Sequence, residues 1–307
     1  MFKIIGNHSQ AHDDGIWTIA WSKDGSNTIL SGSVDDTVKV WRWDHTQLEL
    51  RHRFEGHNLG VLSVDIDGKG ETAVSSSIDS VINVWDLNGG KLLKSIDTAS
   101  VNTWTTSLSP DGRYIASGSN TNEVHLFSVE SGKSEGTVDT GGKFTSAVKW
   151  SPDNQHLACA GMDGTVSLFN TEGKLQYKFG SDDKSRLHDH SKPVRGLSFS
   201  PDGSLLYTAC DDGYIKMFDV RSGKIAGSLS GHSSWVLCVD ASIDGEHIVT
   251  GSSDKTVKVW NIKERQCEHT FDDHTDQVWA VSFDHTGKCI ASGSDDQAII
   301  IYECPWV

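Results

Sequence analysis

The chain has 307 residues and a net charge of −15, with 30 Gly, 5 Pro and six Cys. Its acidity opposes direct nucleic-acid binding as a main activity, because the field repels phosphate backbones. No stretch of 18 apolar residues is present to span a membrane, and the first residues, MFKIIGNHSQAHDD, lack a signal peptide's basic and apolar regions.

In chain order, the first element is a short strand, FKII (2–5). Seven segments of one form follow, each with a turn residue, a short alternating run and an aromatic six residues on. They are DDTVKVW from Asp35, DSVINVW from Asp79, TNEVHLF from Thr121, DGTVSLF from Asp163, DGYIKMF from Asp212, DKTVKVW from Asp254 and DQAIIIY from Asp296. Their first residues lie 44, 42, 42, 49, 42 and 42 apart. Turns such as SPDG at Ser109 and Ser200, SPDN at Ser151 and SIDG at Ser242 precede them. A period of about 42 with four short strands per repeat is the pattern of a β-propeller blade. The expected fold is all-β, one seven-bladed propeller over 1–307. The N-terminal strand serves as the outer strand of the last blade, which removes an open edge.

The cysteines (159, 210, 238, 267, 289 and 304) form no C-x-x-C pair and fall within strands, as small hydrophobes in a reducing compartment do. The interval of 49 marks a longer connection at 180–194, where His188, Asp189 and His190 are candidate metal ligands. A surface loop is the better reading, and we expect no metal and no cofactor. Trp306 stands beyond the last strand, where packing on the lower face is expected.

The seven segments resemble WD repeats over essentially the whole chain, although at the repeat's aromatic position the Trp-Asp dipeptide survives once, at Trp85-Asp86. The resemblance implies a hydrogen-bonded tetrad of His, Ser/Thr, Asp and Trp in each blade. It is complete in His12, Ser31, Asp35 and Trp41; in His57, Ser75, Asp79 and Trp85; and in His232, Thr250, Asp254 and Trp260. Blade 5 keeps His190, Thr208 and Asp212 and ends in Phe218. Blade 7 keeps His274, Ser292 and Asp296 and ends in Tyr302. Blades 3 and 4 have Ala99 and Gly141 in place of His, and Cys159 replaces the hydroxyl in blade 4, so these two should lean on apolar packing. Ser, His and Asp together also suggest a hydrolase. A set repeated in five blades and closed by an indole donor is structural instead, so no catalytic residues are assigned.

The same resemblance places the residues three and five after the His, and the one before the turn Asp, around the propeller's top mouth. The residue four after the His (Ile16, Val61, Val194, Val236, Val278) then points between blades. The rim so read contains Trp17, Leu62, Ile78, Asn102, Trp104, Phe144, Met162, Arg195, Asp211, Trp235, Leu237, Trp279 and Asp295. Four tryptophans on one rim are an aromatic partner site, and Asp211 and Asp295 suit an Arg or Lys of the partner.

The runs AHDDGIWTIAW, TGGKFTSAVKWSPD, LSGHSSWVL and DHTDQVWAV and the ending IYECP are similar to the WD-repeat subunits of the superkiller (Ski) complex, which in animals also serve the RNA polymerase II-associated factor (Paf) complex. That resemblance implies a non-enzymatic scaffold in cytoplasm and nucleus. Its partners would be the tetratricopeptide-repeat subunit and RNA helicase of the Ski complex, which support exosome-mediated mRNA decay. In the nucleus they would be Paf subunits in transcription elongation. No direct nucleic acid and no membrane are implied. The alternative is a histone-tail reader holding an Arg or Lys at the same mouth, or another WD-repeat adaptor of a chromatin complex.

Overall fold

The computed structural model describes residues 1–99, 103–179 and 190–306. These form seven four-stranded sheets, antiparallel throughout. In blade 1 the strands run Ile16–Trp21, Thr28–Ser33, Val38–Trp43 and Leu48–Phe54. Blades 2 to 6 repeat that order from Val61 to Asp97, Thr103 to Asp139, Thr145 to Phe179, Val194 to Ser230 and Val236 to Phe271. The innermost strands contact each other in succession around a closed ring, the first against the seventh.

The seventh sheet takes three strands from the C-terminal end (Val278–Phe283, Cys289–Ser294, Ile299–Glu303) and its outer strand, Lys3–His8, from the N-terminus. The closing strand runs further than FKII predicts. It pairs Lys3 with Glu303 and His8 with Ile299 around a bulge, and a 2.7 Å Lys3–Glu303 ion pair ties its start. Phe2 lies outside the ladder, stacked on His269 and edge-on to Trp306. Trp306 in turn stacks on His247 at 3.9 Å and donates its Nε1–H to Gly287 O.

Packing between sheets follows from the strand alternation. Ile16, Val61, Val194, Val236 and Val278 are fully buried between neighbouring blades. The His–hydroxyl–Asp set forms in five blades, and the indole completes it in blades 1, 2 and 6. In blade 6, Trp260 Nε1–H donates to Thr250 Oγ1 at 2.8 Å, and Thr250 lies 2.7 Å from His232 Nε2. His232 Nδ1 lies 2.9 Å from Asp254. Burial lowers the His232 pKa, so the neutral imidazole donates from Nδ1 to the carboxylate and accepts at Nε2 from the hydroxyl. Burial alone would raise Asp254, but the His232 and Thr256 hydrogen bonds hold it far below the usual carboxylate range.

Blades 1 and 2 repeat this chain at 2.6–2.8 Å for both hydroxyl contacts, with His–Asp distances of 2.8 and 3.2 Å. In blade 5, His190 bridges Asp212 and Thr208 at 2.7 Å each. In blade 7, His274 bridges Asp296 and Ser292, and the Tyr302 hydroxyl, 3.3 Å from Ser292, fills the indole's place. Blades 3 and 4 instead centre on apolar clusters around buried Phe127 and Phe169, the latter with Cys159, whose thiol burial pushes up.

Candidate functional site

A channel of about 510 Å3 runs through the ring, lined by the innermost strands of all seven blades. Below its upper end a polar belt crosses it. Lys149 of blade 4 reaches Asp65 of blade 2 at 3.5 Å, and Asp240 of blade 6 accepts from Ser198, Ser282 and the Phe283 N–H. Sequence reasoning missed this belt. Its signal is present, because Asp65, Lys149, Ser198, Asp240 and Ser282 occupy the same place in their strands.

At the top mouth the rim residues divide into three groups. Trp235 is 46% exposed, so it is displayed at the rim and not part of the core. Its ring lies over Arg195, with the guanidinium carbon 5.8 Å from the centroid. Arg195 in turn grips Asp211 through Nε and Nη2 at 2.8–3.2 Å. Asp211 is only 6% exposed, so its charge is met from within and is not open to a partner. This corrects the expectation that both rim acids await a base. Leu237 is a second correction. At 3% exposure it is buried below Trp235 and presents no docking surface.

The second group sits at the seam of blades 7 and 1. Trp17 and Trp279 lie 6.4 Å apart by ring centroids, both half-buried. Trp279 donates its Nε1–H to Asp295 at 2.8 Å, and Gln277 approaches the same oxygen at 3.5 Å. No Lys, Arg or His among the described residues pairs with Asp295. Burial raises its pKa above the ordinary carboxylate value, and Asp276 and Asp14 add to the rise; hydrogen bonds from Trp279 and, more weakly, Trp17 oppose it. Gly15 makes the approach possible, since a Cβ there would stand 2.6 Å from Asp295 Oδ1.

The third group is apolar. Trp104, 39% exposed, meets Phe144 edge-to-face at 5.2 Å on blades 3 and 4. Met162 and Leu62 are half-buried, whereas Ile78 is exposed and, like Trp17, lies close to Gly60; Leu59, the residue before that glycine, is exposed too. Leu59 was not among the expected rim residues. Asn102 lies outside the described residues, as do His188, Asp189 and the 180–189 part of the long connection.

Among the described residues one trio, His190, Cys210 and Asp212, brings potential metal-ligand atoms within 4.8 Å of one another. Both nitrogens of His190 are already engaged by Asp212 and Thr208, so a metal would have to dismantle the blade 5 tetrad. The Ser–His–Asp sets are likewise buried within their blades and offer no exposed nucleophile.

Comparison with known proteins follows this geometry. The WD domain, G-beta repeat family matches residues 5–42, 48–86, 90–128 and 265–303, and the anaphase-promoting complex subunit 4 WD40 domain matches 148–243. The WD repeat-containing protein SL1-17 of Schistosoma mansoni is 41% identical over 220 residues, 70% of each chain. The WD repeat-containing protein VIP3 of Arabidopsis thaliana is 36% identical over 119 residues, 37% of this chain and 36% of the relative. Superkiller complex protein 8 of Dictyostelium discoideum is 34% identical over 99 residues, 32% of each chain.

Proposed function

We propose that this chain, which belongs to the WD-repeat family, is a non-enzymatic docking subunit whose top rim takes a partner segment carrying one basic and one apolar side chain. The observation that carries this reading is Asp295. It is a partly buried carboxylate between two indoles, with acidic neighbours and no cation paired with it among the described residues. Such a group is costly to hold charged unless something positive meets it, and the two ring faces add cation–π attraction. The exposed apolar residues Ile78 and Leu59, and Trp104 with Phe144, supply area for the apolar anchor.

The assembly we assign is the Ski complex, through its tetratricopeptide-repeat subunit and the helicase that subunit holds, with a nuclear role among Paf subunits. The resemblance of the repeats and the partial similarity to a superkiller complex protein support this reading. It places the chain in cytoplasm and nucleus, with RNA handled by partners. A histone tail is the second reading, favoured by the same pair of indoles flanking a carboxylate.

The test is calorimetric titration of the tetratricopeptide subunit's C-terminal region, and separately of histone-tail peptides, into wild-type protein and Asp295→Ala. Capture of the tetratricopeptide region with loss in the variant supports the first reading. Capture of the histone peptide alone supports the second. Equal binding to wild type and variant places the docking site elsewhere.

A further inference from the structure

Three positions depart from the repeat's own pattern in the same direction, and they converge in space. The residue after the tetrad aromatic bears an oxygen in six blades, as in Asp86, Asn170 and Asp219, but is Arg42 in blade 1. The oxygen has a local task there. Asp86 Oδ1 accepts the N–H groups of Asn88 and Gly89 at 3.0 and 2.9 Å. In blade 1 the task moves to Asp44, which accepts from Thr46 and Gln47, and Arg42 is left exposed.

The third residue of the turn between the first two strands is Asp in five blades and Thr286 in blade 7, but Lys69 in blade 2. Asp67 there takes over the turn, accepting from Glu71 and Thr72 N–H at 2.9 and 3.1 Å. The bulge residue of the outer strand is Arg51 in blade 1; the corresponding residue in the other blades is uncharged or acidic, such as Leu93, Gln176 or Glu268.

Arg42, Arg51 and Lys69 line one groove of about 490 Å3 at the seam of blades 1 and 2, away from the rim. Buried Val40 and Leu87 give it an apolar floor. Two carboxylates share it, Asp24 and Glu71. Asp24 is committed to the N–H and hydroxyl of Ser26, and Arg51 also meets Glu49 at 2.9 Å. On a chain of net charge −15, three independent breaks in a repeat gather three cations in one groove, and two of them, Arg42 and Lys69, have no ion pair among the described residues.

We propose that this groove binds the phosphate monoester of a phosphorylated serine or threonine in a partner protein. Two guanidinium forks and an ammonium present more donors than one carboxylate can accept, whereas a phosphate offers three strong acceptor oxygens and close to two charges. The apolar floor takes the flanking residues of a peptide. A nucleic-acid strand would bring its run of charges to a chain of net charge −15 and be repelled.

The probe is a short peptide with one phosphoserine between small residues, alongside its unphosphorylated twin, inorganic phosphate and a single-stranded RNA oligonucleotide. The readout is the side-chain Nε–H resonances of Arg42 and Arg51. The phosphopeptide is expected to shift both saturably, and the twin to leave them unmoved. Arg42→Glu with Lys69→Glu is expected to weaken binding by at least about tenfold, with Arg42→Gln intermediate. Asp295→Ala, on the distant rim, leaves this binding unchanged whether or not the rim docks a partner. Absence of any saturable shift, binding of inorganic phosphate but not of the phosphopeptide, or tighter binding of the RNA at the same resonances would each overturn the proposal.

Discussion

Two corners of the top rim use the same repeat positions in opposite ways. At blades 5 and 6, the acid before the turn Asp is Asp211, gripped by Arg195, with Trp235 laid over the guanidinium. At blades 7 and 1, the equivalent acid is Asp295, and the residue matching Arg195 is Trp279, which donates a neutral N–H. One corner thus contains its own arginine beside an acid and an indole. The other has the acid and two indoles, with no cation on the acid among the described residues. The difference shows where a repeated scaffold becomes a site. A polar group that is satisfied internally stabilises the ring, and a polar group left short of its partner invites one.

The comparison breaks first if the rim is scaffold. Trp260→Ala, which opens the blade 6 core, is expected to cost about 3–5 kcal/mol in chemical denaturation. Trp235→Ala, half exposed, should stay within about 1 kcal/mol. Equal losses would make the displayed tryptophan part of the core after all. The next test separates the corners. Asp295→Ala or Trp279→Ala should weaken partner capture at least about thirtyfold, roughly 2 kcal/mol. Asp211→Ala should leave capture nearly intact while destabilising the fold on the order of 1 kcal/mol, because Arg195 loses its partner. If both acids matter equally for binding, the corners are alike.

Acidity sharpens the contrast. Folded-state pKa values of His12, His57 and His232 are lowered by burial, so their contribution is present above the unfolded value of about 6.5 and is lost as pH falls below it. Asp35 and Asp254 are also lowered, and their contribution is lost at lower pH still. Asp295 is raised, so it takes up its proton above the ordinary value of about 3.9. Partner capture should therefore decline with acid before the Asp35 and Asp254 contributions are lost, as titration against unfolding curves at each pH will show. The smallest effect is the most diagnostic. Asp295→Asn keeps an acceptor for Trp279 but removes a desolvated charge, so it should raise the melting temperature slightly while abolishing capture. A lowered melting temperature would show that the charge serves the fold.

Much of the scaffold was legible because each blade repeats the same local physics. The turn Asp, the hydroxyl and the indole recur at fixed offsets, so His232, Thr250, Asp254 and Trp260 could be aligned in the chain and found bonded in space. The exchange of indole for Tyr302 was visible as a residue but not as a partner, since only the 3.3 Å approach to Ser292 makes the phenol part of the network. Leu237 failed for a related reason. Strand alternation places it beside the mouth, yet depth below the rim depends on the neighbouring blades that cover it.

Periodicity of 42 residues, the tetrad residues and the acidic charge were determined by the sequence alone, since each is local or additive along the chain. Which rim acids are paired was decided by the folded blades and the ring they close. Asp211 lies sixteen residues from the arginine that grips it, so either reading was open until Arg195 was seen to turn toward it. Asp295 meets Trp17 only because the chain's two ends pair and bring blade 7 against blade 1. Charge is counted along a chain, but its satisfaction depends on distance and burial, and those exist only once the chain has folded.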